Sequence, residues 1–320
     1  MRGLLSVLFV LTLLAPVCAK PAFDVVVLGS RGGLNESDLS AYLVAPAGEQ
    51  RYLALDAGSL YWGVHEALRA GSFGKGPLTE GEVIRDRIKA YLISHAHFDH
   101  VAGLVLGSPE DSPKPLIGLA PTLDSLKEYV FQPRVWSNFT NEGPGATGKY
   151  TLRRVEPGKP FAVEGVPFQI EAYPLSHGPD FLSTAFLVQN GEDALVYCGD
   201  TGADSIEGKP YLGNLWKRIA PLVRSGHLRG IFLECSFPSD RKDSQLFGHL
   251  TPRLLMQEMH NLAREVGSEA AMKGLTIAVT HTKPSLVGID HLPQIEEELK
   301  EANVLGLRIV FPRQAAKLEL

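Results

Sequence analysis

The chain has 320 residues, a length that suits one large domain or two small ones. Hydrophobic residues make up 44% of it and charged residues 21%, ordinary globular proportions, so a sizeable core is expected. A net charge of -5 argues against the basic stripe of a nucleic-acid binder, though not against a small anionic substrate.

Met1-Arg2-Gly3 is followed by an apolar run from Leu4 to Val17, and Val17-Cys18-Ala19 places small residues where a signal peptidase reads. Residues 1–19 therefore read as a cleaved secretory signal, with Lys20 as the mature start and a periplasmic or secreted product. The run is shorter than the roughly 20 apolar residues of a membrane span, so no stable anchor is expected after cleavage. Beyond it, short β-type runs recur at Val25–Leu28, Tyr42–Val44, Tyr52–Leu55, Tyr91–Ile93, Phe168–Ala172, Ala185–Val188, Leu195–Tyr197, Ile231–Leu233 and Thr276–Val279. Several are too uniformly apolar for a sheet with one wet face and are expected to be covered on both sides.

Helical stripes lie between them. Leu60, Val64, Ala67 and Leu68 form one, and Leu215, Ile219, Leu222 and Val223 another. Thr251 is placed to cap a third, with Pro252 in its first turn, and a last helix is expected over Leu292–Ala302. Strands and helices mixed in this order predict a layered α/β architecture. Residues 108–149 stand apart: they are rich in Pro, Gly and polar residues, with Tyr129, Phe131, Trp136 and Phe139 among them. They read equally as an active-site insertion or lid and as a surface excursion with its aromatics packed beneath. Cys198 and Cys235 each end an apolar run; an exported protein permits a disulfide between them, and two buried thiols are as compatible.

His95-Ala96-His97-Phe98-Asp99-His100 carries the chemistry. It follows the strand-like Ala90–Ile93, and its four polar side chains converge if the chain turns sharply after that strand. Imidazole and carboxylate together suit zinc, manganese or iron. His177, Asp200 and His281 each close another buried-looking strand, so each reaches one rim of a sheet. Alone, any of them would be a loop residue; together with the first motif they make five histidines and two aspartates, enough for two metals with one carboxylate bridging. His65, His227, His260 and His291 lack such partners and read as structural or solvated.

In their order along the chain these motifs resemble the metallo-β-lactamase superfamily. The resemblance implies a single αββα-sandwich domain over 20–320, with a binuclear metal site at one edge of the sheets. It implies His95, His97 and His177 on one ion, Asp99, His100 and His281 on the other, and Asp200 between them. His95–Pro109 is similar, within that superfamily, to class II 3′,5′-cyclic nucleotide phosphodiesterases, as are Leu28-Gly29-Ser30-Arg31-Gly32-Gly33 and Thr280-His281-Thr282-Lys283-Pro284. Phe98 departs from the aliphatic residue usual there. Glu234 and His249 resemble a pair that assists the leaving group in tRNA 3′-processing members.

The resemblance thus implies hydrolysis of a cyclic nucleotide, cAMP foremost, to the 5′-monophosphate by a hydroxide shared between two divalent ions, zinc foremost, with Mn2+ or Fe2+ as alternatives. Asp99, Glu234 and His249 are the residues expected to act in catalysis. The rival readings are another exported hydrolase of this type, acting on RNA or lactams, and a non-catalytic binding protein. The filled ligand positions speak against the last. The expected partner is a small cyclic nucleotide rather than a nucleic acid.

Overall fold

The computed structural model describes residues 20–74 and 76–320; the expected signal at 1–19 lies outside the described residues. The strands are β1 (Phe23–Gly29), β2 (Ala41–Pro46), β3 (Tyr52–Leu55), β4 (Ile88–Leu92), β5 (Lys114–Gly118), β6 (Tyr150–Arg154) and β7 (Phe161–Ala162). They continue as β8 (Gln169–Ser176), β9 (Leu182–Asn190), β10 (Asp193–Cys198), β11 (Leu228–Glu234), β12 (Thr276–Thr280), β13 (Arg308–Val310) and β14 (Lys317–Glu319). The helices are α1 (Tyr61–Arg69), α2 (Glu80–Glu82), α3 (Phe98–Gly107), α4 (Ala120–Ser125), α5 (Asp204–Glu207), α6 (Tyr211–Arg224), α7 (Pro252–Val266) and α8 (Leu292–Ala302).

Two seven-stranded sheets form, in the orders β14-β1-β2-β3-β4-β5-β6 and β13-β12-β11-β10-β9-β8-β7. The uniformly apolar strands follow from this layering, because each has a core on both faces. Along β1, Val25 and Val27 face the second sheet, whereas Val26 and Leu28 face the helices. Along β10, Leu195 and Tyr197 point inward and Ala194, Val196 and Cys198 outward. Val64 and Ala67 of α1 with Val101 and Leu104 of α3 cover the first sheet; α6, α7 and α8 cover the second. The result is an αββα sandwich.

The helix stripes were legible. Thr251 caps α7, its Oγ1 accepting from the Leu254 amide, and α8 spans the expected residues. Residues 108–149 are less irregular than their composition suggests. They contain α4 and β5, which pairs with β4 and β6 inside the first sheet. The short apolar stretch begins at Pro115, which hid the strand. Phe131 is fully buried, and Trp136 and Phe139 pack on the same core, the Trp136 indole donating to Ser108 Oγ at 3.0 Å. Cys198 and Cys235 are buried free thiols in the core beneath α6 and α7. No helix among the described residues is long and apolar enough to cross a membrane.

Strand direction builds the site. β10, β11 and β12 are mutually parallel; β8 is antiparallel to β9, which is antiparallel to β10, so β8 runs with them. The carboxyl ends of these four strands therefore share one rim, where α/β sheets present their functional loops.

Candidate metal centre

Chain geometry at the end of β4 explains how four polar side chains converge. His97 is the N-cap residue of α3 with an extended backbone (φ -67°, ψ 147°), reached through a short irregular segment at 93–96 that bends at Ser94 after β4. The helix then begins, and its first turn supplies Asp99 and His100. His177 directly follows β8 and His281 directly follows β12, the latter in a left-handed conformation at φ 59°. Asp200 lies two residues beyond β10, Glu234 ends β11, and His249 stands just before the cap of α7. All nine side chains anticipated from the sequence come together at this rim, and the other four histidines lie outside the cluster.

His97 Nδ1 lies 3.1 Å from His95 Nε2 and 3.2 Å from His177 Nε2. Asp99 Oδ2 lies 3.1 Å from His281 Nε2. Asp200 stands between the two groups: Oδ1 is 3.3 Å from His100 Nε2, and Oδ2 is 3.2 Å from His281 Nε2 and 3.8 Å from both His95 Nε2 and His177 Nε2.

The outer partners of these rings fix which nitrogens carry protons. His177 Nδ1 donates to the Gly248 carbonyl at 2.9 Å, and His100 Nδ1 donates to Asp56 Oδ2 at 2.7 Å. Ser94 Oγ donates to Asp56 at 2.6 Å and so accepts from His95 Nδ1 at 3.0 Å. Ser236 Oγ donates to Glu234 at 2.8 Å and accepts from His281 Nδ1 at 3.0 Å. Four Nε2 lone pairs therefore face inward, against one another and against two carboxylates. His100 Nε2 is buried without a hydrogen-bond partner. Lone pairs converging without protons repel unless a cation lies among them, and outward N–H groups tied to oxygen are the usual support of metal-binding imidazoles. The donor set fits divalent metal ions.

Burial keeps His95 well below the usual imidazole range and His97 at about 4, the neighbouring imidazoles adding to it, so both stay neutral, the form in which an imidazole can bind a metal. Burial opposes a charge on His100 as well, yet the carboxylates of Asp200 and Asp56 raise it well above that range, and a more basic imidazole binds metal more tightly. His249 Nδ1 lies 2.6 Å from Glu234 Oε1. Burial, reinforced by Asp200, pushes Glu234 up to about 7, and burial pulls His249 down to about 4. Both shifts express the same penalty on a lone buried charge, so the pair gains or loses a proton as a unit.

Asp56 escaped the sequence reading. It ends the chain segment after β3 at φ 55°, and its carboxylate accepts from the Ser94 amide, Ser94 Oγ, His100 Nδ1 and the Tyr197 hydroxyl at 2.6–2.7 Å. The signal was present as an acidic residue closing an apolar strand before Ala57-Gly58. The glycine loop after β1 lies tight against the site: the Gly33 amide donates to Asp99 Oδ2 at 2.9 Å, and a Cβ on Gly32 would lie 2.3 Å from the His281 ring.

Residues 75–315 match the family of class-II cAMP phosphodiesterases. The chain is 38% identical over 302 residues to a probable 3′,5′-cyclic-nucleotide phosphodiesterase of Yersinia pestis, covering 92% of this chain and 88% of that one. It belongs to the class II cyclic-nucleotide phosphodiesterases. The crystal structure of unliganded yeast PDE1 superposes on this phosphodiesterase with a TM-score of 0.83 at 25% identity, over 94% of this chain and 100% of that one. The metallo-beta-lactamase fold protein YhfI of Bacillus subtilis, 18% identical, shares its fold with a TM-score of 0.60 over 93% and 99% of the two chains. The phosphodiesterase thus has the metallo-β-lactamase fold, hydrolyses 3′,5′-cyclic nucleotides and carries a site for divalent metal.

Proposed function

We propose that this phosphodiesterase converts cAMP to 5′-AMP with two zinc ions. One would be held by His95, His97 and His177 and the other by Asp99, His100 and His281, with Asp200 shared. The carrying observation is the position of Asp200, within 3.8 Å of the inward nitrogens of both histidine groups. Zinc is favoured because the donors are mostly imidazole; manganese or iron would tolerate the same set. When bound, such a pair acidifies a water nucleophile and neutralises charge on the phosphoryl oxygens.

The chain's own residues supply the rest. Asp99 is steadied by the Gly33 amide at 2.9 Å. Cleavage at the 3′ ester leaves an alkoxide, which needs a proton. His249 Nδ1 is committed to Glu234, and its Nε2 has no hydrogen-bond partner among the described residues. With two protons on the pair, Nε2 gives one to the departing 3′ oxygen while Glu234 holds the ring in the required tautomer. Glu234 is fixed in turn by the Thr201 amide at 3.1 Å and the Leu250 amide at 3.2 Å.

Metal analysis after zinc reconstitution tests the assignment. About two ions per chain are expected. Asp200→Ala should weaken both, and His177→Ala mainly one. A single ion in the unaltered protein overturns the binuclear reading. We also propose export to the periplasm or medium, supported by the Leu4–Val17 run and Ala19. N-terminal sequencing should begin at Lys20, and an intact Met1 on a soluble cytoplasmic protein would refute it.

A further inference from the structure

In a cyclic nucleotide the base hangs at the far end of the ribose from the phosphorus. With the phosphate at the metal centre, the base must meet the rim of the site. Three of the four aromatics of the 129–139 stretch are poorly available for it: Phe131 is fully buried, Trp136 and Phe139 pack on the core of the first sheet, and the Trp136 indole is bonded to Ser108; Tyr129 is 69% exposed but pairs with no ring of the histidine cluster. Four other phenyl rings stand at the rim: Phe98, exposed but in the regular first turn of α3, Phe237, packed edge-on to His249, and Phe181 and Phe247 on the adjoining loops after β8 and before α7. Phe181 is half-buried and lies flat on His97, ring centroids 4.6 Å apart and planes 6° apart. Its other face is not occupied by any described aromatic ring outside the histidine cluster. Phe247 is 68% exposed and sits at φ 53°, a backbone state that bulky side chains disfavour and glycine accepts freely. Packing does not account for a phenyl ring there. Phe247 immediately precedes Gly248, whose carbonyl orients His177, and His249 follows. Gly248 is pressed against the His177–Gly178 backbone, where a Cβ would come within 2.3 Å of the Gly178 amide nitrogen. The loop bearing Phe247 therefore lies on the loop that leads to Phe181. A strained, exposed aromatic beside a reaction centre points to a ligand.

We infer that Phe247 and Phe181 hold the nucleobase of the substrate by stacking. This rests on the cyclic-nucleotide chemistry proposed above and adds the base-binding residues to it. Stacking uses the π-face that every base presents and leaves the hydrogen-bonding edges unread. The site therefore accepts cAMP and cGMP alike and prefers purines, which offer the larger face, to cyclic CMP.

Steady-state kinetics of the metal-replete enzyme test this on cAMP and on the base-free 3,5-cyclic phosphate of 1-deoxyribose. Phe247→Ala should raise KM for cAMP about 10-fold or more while kcat stays within about threefold, the scale of one lost stacking contact. Phe247→Gly, which suits the left-handed backbone, should do the same, so that a shifted loop is not the cause. Phe247→Tyr should restore the KM. The base-free substrate should show the same KM in all four proteins. An unchanged KM for cAMP in both truncations, or an equal rise for both substrates, overturns the inference. Failure of the unaltered enzyme to hydrolyse either cyclic phosphate would instead remove the proposed chemistry, and the stacking role with it.

Discussion

At the scale of single residues, Asp56 shows how much of a metal site lies outside its ligands. One carboxylate orients His100 directly and His95 through Ser94, and it also fixes the Tyr197 hydroxyl. Asp56→Asn keeps the size and the tolerance of a left-handed backbone but replaces an acceptor with a donor. Metal affinity should fall 10–100-fold, the usual cost of losing such a support, and chelator competition should read it; unchanged affinity would make Asp56 a packing residue. His249→Ala should keep its metals and lose about 10²–10⁴-fold in turnover of cAMP. The loss should shrink for a nitrophenyl phosphodiester, whose leaving oxygen needs no proton, and Glu234→Gln should show a smaller loss in the same direction. An equal loss on both substrates would move His249 from the leaving group to substrate positioning. The seven candidate ligands could be read from the sequence because each closes a buried apolar run or sits in the dense motif at 95–100. Asp56 also closes an apolar run, but an Asp before Ala-Gly and a Ser after Glu-Cys have turn-like patterns of their own, and these masked both Asp56 and Ser236.

At the scale of elements, the strands seen in the sequence are those covered on both faces. Those missed are edge or short strands such as β6, β7, β13 and β14, whose apolar runs are brief, together with β5. The last is held in place by a buried polar cluster invisible to periodicity. Asp111 accepts from the Tyr91 and Tyr150 hydroxyls, each at 2.8 Å, and from Lys114 Nζ at 2.7 Å. Burial lowers the Lys114 pKa, and its charge depends on Asp111. Asp111→Ala should destabilise the protein by about 3–5 kcal/mol because it leaves a buried cation unpaired, and adding Lys114→Met should recover much of that loss. Urea midpoints check both; an effect below about 1 kcal/mol for the single variant would show the cluster to be solvated.

At the scale of the molecule, the metal centre joins the two halves of the sandwich. His95, His97, Asp99 and His100 follow a strand of the first sheet, whereas His177, Asp200 and His281 follow strands of the second. Metal held there would tie the sheets along the rim where seven polar side chains replace apolar packing. Each ion at 100 times its Kd should add about 2.7 kcal/mol of stability, and thermal unfolding with and without a chelator should differ by several degrees. Equal midpoints would mean that the ions do not bind the folded chain preferentially. The most direct test of the account is chromatography of the products that purified, zinc-replete protein forms from cAMP. The account predicts 5′-AMP as the product, abolished by chelation and by Asp200→Ala. Accumulation of 3′-AMP, or no turnover of cAMP by protein holding two ions, would contradict it.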